Sequence, residues 1–166
     1  MQEVYLREVY VADMLGIFLI LGAIFSGAWK LQKKNNEDKV LLGVIILVIT
    51  ACIADAITFS VDGLTGPGVK ALAYVSNNIL FLSNMAIGPL WVMLISLHIN
   101  GVVSKFQRLF MFIVCGAITV LMVVNFFNPI IFDINERNVY TRGPLFMLKN
   151  LLEVILMADG VVIYLR

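Results

Sequence analysis

An all-α, polytopic transmembrane bundle of about five helices is the fold class that the sequence predicts, and three observations predict it. Hydrophobic residues fill 61% of the 166 positions and charged residues 14%, against roughly 45–50% and about 25% in soluble domains. Five stretches reach the roughly 20 apolar residues that a bilayer core about 30 Å thick demands. Within each stretch the apolar pattern runs nearly all the way round, without the period-2 alternation of a membrane β-barrel.

The first stretch, 11–29, follows MQEVYLREVYVAD, whose mixed charge lacks the basic start of a cleavable signal peptide, so a permanent span is expected. Tyr5, Tyr10 and Trp29 read as interfacial anchors. The second and third spans are expected over 40–59 and 71–97. Pro89, after Gly88, should kink the third because proline removes a backbone hydrogen bond. The fourth and fifth are expected over 106–127 and 144–165. Between the second and third, SVDGLTGPGVK has the Asp62-Gly63 and Gly-Pro-Gly character of a compact turn. Between the fourth and fifth, NPIIFDINERNVYTRG is long enough for a small cap. No repeat or low-complexity linker divides the chain, which parses as one domain over 1–166. Its last residues, Val161 to Arg166, are still apolar, and the expectation is a piece of a longer chain.

Lysine and arginine placement gives an orientation. Lys30, Lys33, Lys34 and Lys39 lie between spans one and two, and Lys105 and Arg108 between three and four. Those connections are expected inside. Arg7, Lys70, Arg137 and Arg142 mark the sparser, outer side. With five spans the amino terminus is then outside and the carboxyl end cytoplasmic.

An ionisable side chain near the bilayer centre costs at least about 2.5–3.5 kcal/mol on insertion scales, so each such group should face protein or water. At a rise of about 1.5 Å per residue, Asp55 falls in the outer third of span two, Asn77 and Asn78 about 10 Å below the outer surface, and Lys149 and Glu153 in the outer half of span five. That common depth predicts an outward-opening polar pocket from Asp55, Asn77, Asn78, Asn84, Lys149 and Glu153. Four residues separate Lys149 from Glu153, so they share a helix face and can pair. Asn77, Asn84, Trp91 and His98 recur every seven residues, a stripe expected to face the bundle. Asp62, Gly63, Tyr140 and Arg142 would form the external turn and cap. A bland account stands beside this one, in which Lys149 and Glu153 simply neutralise each other within the bundle and asparagines join membrane helices by hydrogen bonds worth about 0.6 kcal/mol on average. Asp13 lies near a helix end, Asp159 near the inner interface, and His98 reads as a solvated boundary histidine.

Other function classes find little footing. A formal charge of +1 with the lysines in one cluster gives no basic face for nucleic acid. Cys52 and Cys115 fall inside apolar runs, without a CxxC or histidine neighbour, and read as small hydrophobes. HExxH, P-loop and nucleophile-elbow motifs are missing from the sequence, so no catalytic residue, cofactor or metal is expected.

The order Asp55, Asp62-Gly63, Tyr74, Asn77, Phe81 and Trp91, followed by FDINERNVYTRGPLF, resembles the amino-terminal multi-pass membrane domain of Firmicutes signalling proteins. There it precedes a cytoplasmic GGDEF diguanylate cyclase, which makes cyclic di-GMP, or a histidine kinase. The resemblance runs from about Leu41 to the end, and its most specific piece is Asn138 to Pro144. It implies a sensor domain in the bacterial cytoplasmic membrane, acting as a homodimer and binding a small-molecule or lipid ligand. The cyclase motif itself is absent from these residues. Two other classes compete: a small transporter or channel, which needs polar groups through the whole bilayer thickness, and a structural subunit of a membrane complex.

Overall fold

The structure is a computed structural model and describes residues 2–25 and 36–165. Trp29, Lys30, Lys33, Lys34 and Arg166 of the sequence reading lie outside the described residues. Among the described residues five helices follow in order: α1 (Gln2–Phe25), α2 (Asn36–Val61), α3 (Val69–Asn100), α4 (Lys105–Phe127) and α5 (Phe146–Tyr164). Two short strands, β1 (Phe132–Ile134) and β2 (Tyr140–Arg142), separate α4 from α5. By length and composition α2, α3 and α4 can each cross a membrane. The 19 residues of α5 carry Lys149, Glu153 and Asp159.

Polar and apolar residues are placed as a lipid-facing protein requires. Outward faces carry Phe18, Phe106, Phe112, Val120 and Phe126, all well exposed, whereas Ser76, Asn77, Asn78, Ser83, Ser96, Asn125 and Lys149 are buried. A water-soluble fold would expose such polar side chains and bury the phenylalanines. In lipid, burying them is the favourable choice, because hydrocarbon offers them no hydrogen bonds.

Central in the fold is α3, which packs against α2, α4 and α5, while α1 packs on α2. Small residues make the α2–α3 seam close: Ala51, Ala54 and Thr58 on α2 and Ala73, Ser76 and Ser83 on α3 are buried, and Thr58 donates to Ser76 Oγ at 3.0 Å. The α3–α5 seam uses glycine similarly. A Cβ on Gly88 would lie 3.4 Å from Leu156, and one on Gly160 would lie 3.2 Å from Ile95 and 3.3 Å from Trp91. Helix α3 continues through Pro89 and closes at Gly101, whose left-handed backbone lets its N–H reach Leu97 O. A capping box between Ser104 and Gln107 then starts α4.

The strands form an antiparallel hairpin in which Phe132 faces Arg142 and Ile134 faces Tyr140. Asn135 Oδ1 accepts the N–H groups of Arg137 and Val139, and Asn138 takes the left-handed backbone, φ 57°, that asparagine tolerates well among L residues. Phe132 is completely buried and its ring contacts those of Tyr74, Phe81 and Tyr140. The hairpin thereby plugs the bundle end where α2 and α4 finish and α3 and α5 begin.

Two contacts anchor the hairpin to its helices. The side chain of Asn125, near the end of α4, accepts from Ile131 N at 2.6 Å and Phe132 N at 3.1 Å, and donates to Phe132 O at 3.1 Å. On the exit side, Gly143 N donates to Ile131 O and Leu145 N to Ile130 O, both at 2.8 Å. The chain passes so near itself here that a Cβ on Gly143 would fall 2.3 Å from Ile130 O. Gly143→Ala is therefore expected to shift this crossing and cost about 1–3 kcal/mol, the usual range for overpacking. Thermal unfolding of the variant in detergent checks this.

Candidate functional site

A cavity of about 310 Å³ lies beside the hairpin, lined by Asp55, Thr58, Phe59 and Asp62 of α2 and its end, Asn77, Leu80 and Phe81 of α3, Tyr140 and Arg142 of β2, and Phe146 of α5. It brings together members of two groups, the deep polar residues and the external cap. Asp55 and Asn77 come from the first group, and Asp62, Tyr140 and Arg142 from the second.

The cap side is held by a short network. Tyr140 N donates to Asp62 Oδ1 at 2.8 Å, and Gly63 N donates to Asn138 O at 2.9 Å. Asn138 Nδ2 returns a bond to Leu64 O at 2.7 Å. Gly63 has φ 72°, the left-handed conformation that glycine adopts without steric cost. The α2–α3 turn and the hairpin are thus one unit. Arg142 is exposed at the mouth, with its guanidinium 4.9 Å above the ring of Phe146.

Burial pushes the Tyr140 phenol up to about 12, with the Arg142 charge opposing the rise. The neutral phenol is the form that the folded cap favours, and the unfolded tyrosine ionises near the ordinary value of 10.0. The stability tied to it is fully present below pH 10 and is lost as pH rises toward 12. Unfolding followed from pH 9 to pH 12 should show this loss, and Tyr140→Phe should remove that part of the pH dependence.

On the helical side, Asn77 is buried and donates from Nδ2 to Ala73 O at 2.8 Å, leaving its side-chain carbonyl to the cavity it lines. Asn78 is also buried, but it donates to Tyr74 O at 2.7 Å and does not line the cavity. Asn84, two turns further along, is half-buried and also outside the lining. The seven-residue stripe turns progressively outward: Asn77 is buried, Trp91 is 41% exposed and His98 is exposed. Seven residues fall about 20° short of two full turns, so a heptad stripe drifts round a straight helix.

Lys149 and Glu153 sit behind the cavity wall. Lys149 is 2% exposed, and its Nζ meets both carboxylate oxygens of Glu153, at 2.8 and 2.9 Å. The same ammonium lies 4.6 Å from the centre of the Phe81 ring and 5.9 Å from that of Phe146. Both rings line the cavity. The pair therefore touches the site through its aromatic wall.

Other polar groups of the sequence reading are distributed elsewhere. The Tyr10 hydroxyl bonds to Ser60 Oγ, and Asp13 shares a separate cavity with Cys52 between α1 and α2. Cys52 and Cys115 are half-buried free thiols. At the opposite bundle end, exposed His98 pairs through Nδ1 with Glu37 Oε1 at 2.8 Å. No cluster of three or more metal-ligating side chains occurs among the described residues. Asn125 has no place in the sequence reading, and Asn138 enters it only as the start of the stretch Asn138 to Pro144 that carries the resemblance. The available signals were a polar residue at the end of an apolar helix, just before Asn128-Pro129, and an asparagine in a turn-rich loop. The chain matches no protein-family model, no curated protein and no solved structure.

Proposed function

We propose that this chain is a membrane-embedded signal-input domain, which binds a small ligand in the cavity beside the hairpin and relays occupancy through α5 to a cytoplasmic output domain. In this reading all five helices cross a bacterial cytoplasmic membrane, with the amino terminus and hairpin outside and the carboxyl end inside. A GGDEF diguanylate cyclase is the output that the sequence resemblance favours, and the working form is a homodimer.

The observation that carries the reading is that the cavity and α5 share side chains. Phe146 lines the cavity and opens α5. One turn on, Lys149 lies against Phe81 and pairs with Glu153. A ligand that moves either ring changes the surroundings of a buried charge, which converts contact at the site into a preference for one α5 packing. Such a ligand must bind one packing better than the other, since equal affinity would shift nothing.

Replacing both members of the pair, Lys149→Leu with Glu153→Gln, in the full-length protein tests the relay. Output should shift away from the wild-type set point while membrane insertion survives. Normal output from the double variant would sink the reading. Flux dependent on Glu153 in proteoliposomes would favour a transporter instead.

A further inference from the structure

We propose that the cavity beside the hairpin takes a small zwitterion with an apolar stem, its cationic end on Asp55 and its anionic end on Arg142. The ligand class rests on the input-domain reading only for the side from which the ligand arrives.

Most charged groups at and behind the cavity are already committed. Lys149 is held by both oxygens of Glu153, so neither is available. Asp62 has one oxygen on the Tyr140 amide and serves the cap. Asp55 and Arg142 remain. Among the described residues neither makes an ion pair, although both line the same cavity. A half-buried carboxylate in an apolar bundle is costly unless a cation meets it, and a guanidinium is suited to a carboxylate by its planar fork of donors.

Position separates the two ends. Asp55 lies seven residues before Asp62 on α2, about 10 Å deeper at 1.5 Å per residue. Asp62 is level with the hairpin through its bond to Tyr140. Arg142 follows Tyr140 by two residues and sits at the mouth. Phe59, Leu80, Phe81 and Phe146 supply apolar wall to the same cavity. An anion alone would be repelled by Asp55, and a cation alone would be repelled by Arg142 and make no use of its donors. A molecule with an ammonium, a short methylene stem and a carboxylate answers both. The cavity, about 310 Å³, is at the small end of ligand sites, which run from about 300 to 1,000 Å³.

Calorimetric titration of the full-length protein in nanodiscs with 5-aminopentanoate, pentylamine and pentanoate tests this directly. The zwitterion should bind at least tenfold more tightly than either singly charged analogue. Asp55→Asn and Arg142→Gln should each weaken it at least tenfold with helical content and melting unchanged, while Glu136→Gln on the hairpin turn should leave it unaltered. Binding of pentylamine or pentanoate as tight as that of 5-aminopentanoate would overturn the proposal, as would the absence of binding by all three. In either case the Lys149 and Glu153 output test still decides the input-domain reading, because it needs no ligand identity. Zwitterion binding together with normal output in that double variant would uphold the site and remove the relay.

Discussion

Lys149→Leu alone is expected to destabilise the protein by about 3–5 kcal/mol, the range found when one partner of a buried ion pair is removed. Most of that loss belongs to what stays behind. Glu153, at 22% side-chain exposure, would keep a carboxylate in the bundle after losing the ammonium that meets both its oxygens. The ammonium's contact with the Phe81 ring at 4.6 Å disappears with it, worth about 0.5–2 kcal/mol depending on desolvation. Adding Glu153→Gln removes the uncompensated charge, so the double variant should recover most of the loss. A double-mutant cycle measured by unfolding in bicelles should give a coupling of about 3 kcal/mol or more, at the upper end of what contacting residues show. If the double variant is no more stable than Lys149→Leu, the pair does not act as a unit, and its place in the relay goes with it.

This pair was legible in the sequence because a helix fixes residues four apart on one face, and a long apolar run left little doubt about the helix. Helix existence was equally legible for the same reason. The ends were less so: α1 begins at Gln2 and α3 extends over Val69–Asn100, beyond the apolar stretches 11–29 and 71–97, because hydropathy marks only the lipid-facing length and backbone hydrogen bonding continues past it. Depth estimates brought Asp55 and Asn77 to one level, and they share a cavity. Depth says nothing about direction round the helix, however. Asn78, one residue on from Asn77, turns about 100° away and bonds within α3. The heptad from Asn77 to His98 failed to hold one face for the related reason of helical drift. The hairpin was visible only as a loop of cap-forming length, since three-residue strands carry too little alternation to be read. What fixes it is a set of side-chain bonds to backbone, from residues whose partners are remote in sequence, such as Asp62 with Tyr140.

The most consequential of those bonds belong to Asn125, and Asn125→Ala is expected to cost about 2–5 kcal/mol. The side chain is 2% exposed and takes part in three hydrogen bonds with the chain entering β1. Truncation would leave Ile131 N, Phe132 N and Phe132 O without this partner beside a fully buried ring. Each buried group left unsatisfied costs about 1–3 kcal/mol, with relaxation reducing the sum. Asn125→Asp separates the two halves of the role, because a carboxylate can still accept from Ile131 N and Phe132 N but cannot donate to Phe132 O. At neutral pH the buried charge, set against Phe132 O, should make it at least as unstable as Asn125→Ala, and protonation at low pH should restore part of the loss. Hydrogen exchange localises the effect: the hairpin amides should lose protection first in both variants, and with them the Tyr140 bond to Asp62 that joins the hairpin to the α2–α3 turn. Exchange that rises uniformly through α4 instead would mean that Asn125 supports its own helix, and that the hairpin is held by the Phe132 ring contacts alone.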